Sequence, residues 1–222
     1  MNIKKYFRNI KSKKIAVIGS SKIILRKNHN KTIDQFCEVV RFNRAILKNY
    51  EKYVGNKTHT FCINNAVFCC SPAKNRKWKI DTNFARKIKN KKIFVISPWR
   101  IKKKTKKLFS SRFNDYFFCD SLLLNKFIFI FFFRYPKIFS ILLFILILKN
   151  KFLSVGLFYI LLAVIFKKKP YIYGFDLNEN MNSRSHYWEN ISHIKVNKQH
   201  SYDYEKKILF ELQKNNLIKI NT

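Results

Sequence analysis

Near the end of the chain, His186-Tyr187-Trp188-Glu189-Asn190 is followed by His200 and, after four intervening residues, by Glu205. Imidazole is the one side chain whose ordinary pKa lets it take up or release a proton near neutrality. Two histidines held at one place can therefore share the work of a general base and of a phosphate-binding group. A histidine standing alone is more often structural than catalytic, so weight must come from what else the chain carries. His200 precedes Ser201, a good N-cap, and Tyr204, Ile208 and Leu212 recur at helical spacing, so a helix is predicted to begin directly after it. The positive end of that helix disfavours the imidazolium and favours the neutral ring that a general base requires. Asp203 in its first turn acts the other way, and the net direction stays open.

The elements that must position these side chains read as alternating strands and helices. Ile15 to Ile18 is a short apolar run stopped by Gly19, which suits a buried parallel strand entering a loop. Val39 to Phe42 is a second strand that delivers Asn43, Thr60 to Ile63 and Ile93 to Ile96 are two more, and Tyr171 to Tyr173 is a fifth that meets Gly174. A helix is predicted over 154–166, and Leu217-Ile218-Lys219-Ile220 closes the chain as a last strand. The expected fold is α/β, a single-domain Rossmann-like three-layer sandwich on a mostly parallel sheet. Ligands of such sheets sit beyond the carboxyl ends of the strands, so Ser20, Asn43, Ser97 and Gly174 are expected along one ligand-facing edge. Ser154-Val155-Gly156 opens the 154–166 helix, where unsatisfied N–H groups can meet an anion and glycine allows close approach. The plainer alternative there is a serine cap with a packing glycine.

A chain of 222 residues is one domain, long enough for this core and too short for two nucleotide-binding domains. Within the single domain 1–222, residues 1–13 read as a basic N-terminal extension. Residues 99–150 read as a variable insert, a region for an acceptor or a membrane surface. The 46 Lys and Arg against 12 Asp and Glu give a formal charge of +34, ordinarily a sign of nucleic acid or an anionic membrane. The excess is spread along the chain and no RNP, KH or zinc-knuckle pattern accompanies it; Lys, Asn, Ile, Phe and Tyr have A/T-rich codons, so a coding sequence rich in A and T is expected to account for much of it. Five cysteines, Cys37, Cys62, Cys69, Cys70 and Cys119, show no paired metal spacing, so no metal is expected and free thiols are the default. The N-terminus has no apolar core of signal-peptide length, which predicts a cytoplasmic protein, peripheral at most on a membrane. Phe127 to Phe133, Ile138 to Leu148 and 152–166 are intensely apolar, yet charged or proline-containing breaks end each run before the about 20 residues a span needs. Buried core or an interfacial surface fits them better. The run Lys102-Lys103-Lys104-Thr105-Lys106-Lys107 reads as a solvated loop, with anionic headgroups as the alternative partner.

Five blocks precede the histidines in a fixed order: Ile15-Ala16-Val17-Ile18-Gly19-Ser20-Ser21, Arg41-Phe42-Asn43, Val54-Gly55-Asn56-Lys57-Thr58, Ser154-Val155-Gly156-Leu157 and Tyr171-Ile172-Tyr173-Gly174-Phe175. With His186 to Asn190 and His200 to Glu205, they resemble the large, small, third and very small sialylmotifs of the animal-type sialyltransferases, glycosyltransferase family 29, of which this chain would be a short, bacterial-like member. The resemblance covers most of the chain except about residues 70–150. It departs at Gly19-Ser20-Ser21-Lys22, where the family has Gly-Asn-Ser-Gly, and at Ser154-Val155-Gly156, where it has Ser-Thr-Gly. Ile15 stands where the animal enzymes have the first cysteine of a disulfide, and no cysteine lies in 154–176.

The resemblance implies a variant GT-A fold and an inverting, metal-independent transfer of sialic acid from CMP-sialic acid to a glycan hydroxyl, with no cofactor. By it His200 is the base and His186 holds the CMP phosphate. Ser20, Ser21 and Asn43 contact the nucleotide; Ser154, Val155 and Gly156 contact the donor; Gly174, Phe175 and Trp188 line the cytidine or donor pocket. Glu205 and Tyr187 are supporting, Glu205 being expected to brace its loop or contact the donor-side block. The expected partners are the donor and a glycan acceptor, lipid-linked in one version, with peripheral contact to anionic membrane and no nucleic acid. Two alternatives remain: a transferase of another CMP-activated sugar, Kdo or another nonulosonate, and a non-enzymatic basic protein associated with nucleic acid or membrane.

Overall fold

The computed structural model of the chain describes residues 3–64, 69–70, 79–80, 82–97, 103–111, 113–119, 129–130, 133–145, 153–177, 187 and 202–221. Short apolar runs become strands where both of their faces can be covered. β1 (Lys14–Ile18), β2 (Val39–Phe42), β3 (Thr60–Asn64) and β4 (Lys92–Ile96) are buried along almost their whole length. β5 (Tyr116–Cys119), β6 (Lys169–Tyr173) and β7 (Lys219–Asn221) complete one sheet in the order β5-β4-β3-β2-β1-β6-β7. Every pairing in it is parallel. The chain winds outwards from β1 to β5 and then returns to lay β6 on the opposite side of β1, with Lys14 facing Lys169 and Ile18 facing Tyr173. This reversal opens a crevice at the carboxyl ends of β1 and β6, the place where such sheets take ligands. Cys69–Cys70 and Lys79–Ile80 form a separate antiparallel pair.

Helices cover both faces, giving the expected three layers. On one side lie α1 (Ile3–Asn9), α6 (Pro136–Leu143), α7 (Val155–Ile165) and α8 (Tyr202–Lys214), packed on Ile15, Val17, Val40, Phe42, Cys62 and Phe94. On the other side are α2 (Asn30–Ile33) and α3 (Glu51–Val54) over Ala16, Ile18 and Val39, and α4 (Thr82–Ile88) and α5 (Lys103–Ser110) over Phe61, Ile63, Ile93 and Val95. The alternation of Ile15 and Val17 with Ala16 and Ile18 between these sides is the two-residue period of a strand buried twice. α7 is apolar all round, and Gly156 to Val164 are all buried, as befits a helix enclosed by its own domain.

At the end of the sheet away from the crevice, a buried polar chain ties α1 and α7 to the strands. The Thr60 hydroxyl donates to Glu38 Oε1 at 2.5 Å, Tyr6 donates to Thr60 Oγ1 at 3.1 Å, and the Tyr159 and Tyr6 hydroxyls are 2.7 Å apart. Lys92 donates to the other Glu38 oxygen at 2.9 Å. Tyr6, Tyr159, Thr60 and Glu38 thus satisfy one another in the dry layer, as burial demands.

Three expectations are corrected. Residues 1–13 are no free extension: Ile3, Tyr6, Phe7 and Ile10 form an apolar stripe at helical spacing and are at most 4% exposed, while Lys4, Lys5 and Arg8 face outwards. Residues 99–150 are not wholly an insert, because β5 lies within them and extends the sheet beside β4. Lys103 to Lys107 belong to α5 and not to a loop, since the helix buries Phe109 underneath. Of the 127–133 run, Phe129, Ile130 and Phe133 are described; Phe129 and Phe133 are 65% and 79% exposed, and Ile130 is half-buried. Among the described residues no helix is long and apolar enough to cross a membrane.

Candidate active site

The crevice is built on two glycines. The Gly19 N–H donates to the Tyr173 carbonyl at 2.7 Å and the Ser21 N–H to the Gly174 carbonyl at 3.0 Å, so the β1–β6 pairing continues past both strand ends. A Cβ on Gly19 would stand 2.3 Å from the Gly174 oxygen, and Gly174 has φ +67°, a conformation that side chains rarely adopt. Ser21 then caps a 3₁₀ turn over Lys22–Arg26, its Oγ accepting from the Ile23 N–H at 3.3 Å. The Ser20 carbonyl accepts from the Tyr187 N–H at 2.9 Å.

Gly156 faces the same crevice: a Cβ there would meet the Phe175 ring at 3.0 Å. Phe175 packs edge-on to Phe42, centroids 6.1 Å apart, which brings the β2 end alongside. Asn43, with φ 50°, turns the chain after β2; its N–H donates to the Cys62 carbonyl at 2.9 Å and its Oδ1 accepts from the Asn64 N–H at 3.0 Å. Asn64 therefore belongs to the same edge and was missed in the sequence, where a polar residue closing the run Phe61-Cys62-Ile63 was the available signal.

Ser154 and Glu205 form a closed unit. The Ser154 N–H donates to Glu205 Oε1 and its hydroxyl to Oε2, both at 2.6 Å, while Ser154 Oγ accepts from the Leu157 N–H at 3.2 Å. Glu205 is 6% exposed and ties α8 to the first turn of α7. With its hydroxyl proton committed to Glu205, Ser154 acts as a cap, and the N–H groups of Val155 and Gly156 are left at the start of α7 without an intrahelical acceptor.

The Val54–Thr58 block folds around Arg41. This guanidinium has no solvent exposure; Nε donates to Thr58 Oγ1 at 2.8 Å, and Nη2 donates to the carbonyls of Val54 (2.6 Å), Gly55 (3.0 Å) and Lys57 (3.0 Å). Burial lowers its pKa to about 10. Burial would raise the Asp34 pKa, but the N–H groups of Asn56 and Lys57 donate to its carboxylate at 2.9–3.0 Å and hold it below the usual value.

One edge thus carries Ser20, Ser21, Asn43, Gly156, Gly174 and Phe175, with Tyr187 bound to it. His186, Trp188 and His200 lie outside the described residues. Tyr187 is covalently flanked by the first two, and α8 begins two residues after His200. Cys37 and Cys62 are free thiols.

A parallel sheet with a glycine-lined crevice at its reversal point defines the doubly wound α/β class. Within that class, the family model for glycosyltransferase family 29 (sialyltransferase) matches residues 2–217, and the chain belongs to that family. It is 39% identical over 71 residues to beta-galactoside alpha-2,6-sialyltransferase 2 of Xenopus tropicalis, a match that takes in 28% of this chain and 14% of that relative's length. Solved sialyltransferases share its fold. A mammalian sialyltransferase in complex with Gal-beta-1-3GalNAc-ortho-nitrophenol superimposes with a TM-score of 0.61 at 17% identity, over 97% of this chain and 71% of the other. The monofunctional alpha-2,3-sialyltransferase Cst-I from Campylobacter jejuni gives 0.60 at 19% identity, over 94% and 74%. CstII from Campylobacter jejuni, in complex with the substrate analogue CMP-3FNeuAc, gives 0.54 at 17% identity, over 93% and 80%.

Proposed function

We propose that the protein is an inverting sialyltransferase that moves sialic acid from CMP-sialic acid to a glycan hydroxyl without a metal ion or other cofactor. The observation that carries this reading is the Gly19–Gly174 crevice, which gathers the Ser20, Gly156 and Phe175 blocks and Tyr187 of the third motif at one point of the sheet. In this reading His200 removes the proton from the acceptor hydroxyl as its oxygen bonds to the anomeric carbon. The bond from that carbon to the phosphate oxygen breaks, and its electron pair leaves with CMP, whose phosphate His186 holds. Ser20, Ser21 and Asn43 serve the nucleotide, with Asn64 beside them. The free N–H groups of Val155 and Gly156 serve the donor carboxylate, while Ser154, held by Glu205, supports them. Gly174, Phe175 and Trp188 form the wall against the cytidine.

A cytoplasmic enzyme that meets a lipid-linked acceptor at the inner face of an anionic membrane fits the surface. Phe129, Phe133, Leu143 and Phe210 are exposed on a chain of charge +34. Thermal melts with CMP, UMP, GMP and ADP test the donor class, because a ligand that binds only the native state raises its melting temperature. CMP alone is expected to stabilise the chain, and transfer from CMP-sialic acid but not from CMP-Kdo fixes the sugar. Equal shifts with all four nucleotides, or none, would sink the reading.

A further inference from the structure

β2 sends Arg41 and Phe42 to opposite faces of the sheet. Phe42 packs towards the crevice through Phe175, whereas Arg41 enters the other layer and is wholly buried. Its Nε and Nη2 satisfy Thr58 and the carbonyls at the end of α3, but Nη1 is a buried polar atom with no hydrogen-bond partner among the described residues. An incompletely satisfied cation in a dry layer costs stability, and ending a four-residue helix does not require a charge.

Tyr187 supplies the missing reason. It is 4% exposed; its N–H is bound to Ser20, its hydroxyl donates to the Ile46 carbonyl, and its ring lies edge-on to Tyr50 with centroids 4.9 Å apart. Tyr50 opens α3, its carbonyl accepting from the N–H groups of Tyr53 at 2.9 Å and Val54 at 3.0 Å. Arg41 grips the other end of that helix through the Val54 and Gly55 carbonyls; burial pushes the Tyr187 hydroxyl pKa up, and the Arg41 charge pulls against that. One buried cation thus holds the helix whose opening residue, Tyr50, is the wall on which Tyr187 rests.

We propose that Arg41 is a positioning residue: it builds the seat for Tyr187 and thereby sets where the chain between His186 and Trp188 meets the Ser20 turn. Its effect on transfer rests on the sialyltransferase reading; the seat itself does not.

Two measurements keep these apart. Arg41→Lys keeps the charge and discards the fork, and Tyr187→Phe keeps the ring and discards the hydroxyl. Hydrogen exchange on the full chain reads the seat: peptides containing Tyr187 exchange about tenfold faster in both variants, while β1 and β6 keep wild-type protection. Turnover at saturating CMP-sialic acid reads the consequence: kcat falls about tenfold in each, KM for the donor stays within about threefold, and the double variant is no slower than the slower single one. Should Arg41→Lys lose its cooperative melting transition, Tyr50→Leu, which spares every Arg41 hydrogen bond, carries the same measurements. Unchanged exchange at Tyr187 in the folded variants overturns the seat. Faster exchange with unchanged kcat, or with losses that multiply in the double variant, overturns the positioning role. Faster exchange in a chain whose wild type transfers nothing leaves the seat standing and removes the sialyltransferase reading instead.

Discussion

At the scale of single residues, the proposed mechanism gives the two imidazoles different work, and substitution separates them. His200→Ala is expected to abolish transfer, by about 10²–10⁴ for loss of a general base, while leaving CMP-donor binding largely intact. His186→Ala is expected to weaken both, because it removes a contact to the phosphate in the ground state as well as in the transition state. Steady-state kinetics beside a CMP titration reads the difference; near-wild-type turnover in both variants would show the roles to be misassigned. Ser20, Ser21, Asn43 and Gly174 were legible because each follows an apolar run, and the ends of parallel strands are where a sheet meets its ligand. That Glu205 contacts the donor-side block and that Ser154 caps its helix were both expected from the sequence; that the Ser154 hydroxyl proton goes to Glu205, 51 positions away, was not, since no local pattern records such a bond. The role of Arg41 was hidden for the same reason: it was named only as a member of the Arg41-Phe42-Asn43 block, and its partners, Thr58 and the carbonyls of Val54, Gly55 and Lys57, lie 13–17 positions away.

At the scale of elements, the strands around the crevice were read within a residue or two, since continuous apolar runs ending at Gly19, Asn43 and Gly174 admit little else. β5 and α1 were not read, and they pack on one another: Tyr6 meets Phe117 with ring centroids 4.7 Å apart. Each is unremarkable alone, one a Tyr-Phe-Phe-Cys in a chain with 23 phenylalanines and the other a basic heptapeptide, and each becomes an element through burial against the other. The junction of β2 and β3 makes stability depend on pH. His59 Nδ1 accepts from the Val39 N–H at 3.0 Å and so must be unprotonated, and burial lowers its pKa from the usual 6.5. His29 is shifted the same way, by burial and then by Lys27. A base whose folded pKa is depressed gives its full contribution above the unfolded value; that contribution is lost as pH falls from about 6.5 towards the folded value, because the unfolded chain takes up the proton first. The melting temperature is expected to fall between pH 7 and pH 5, and His59→Asn, which keeps an acceptor and cannot be protonated, is expected to make the fall shallower. Identical slopes for the variant and the wild type would locate the proton uptake elsewhere.

At the scale of the whole molecule, charge and exposed aromatic surface act together. The chain is expected to sediment with vesicles that contain anionic lipid and not with purely zwitterionic ones. Salt should release most of it, because screening shortens the reach of surface charge from about 8 Å at physiological ionic strength to about 3 Å at 1 M. Phe129→Ser with Phe133→Ser should remove the salt-resistant remainder; equal binding to both kinds of vesicle would contradict an electrostatic approach. The sheet order also has a consequence in time. Residues 14–18 find their partner on the crevice side only in residues 169–173. A ribosome adding about 5–20 residues per second leaves that flank open for roughly ten seconds or more, and closing so long a loop is slow in its own right. A chain halted before Gly174 can assemble the outward half of the sheet but lacks one wall of the crevice, so the proposed nucleotide site cannot form until residue 174 has left the ribosome.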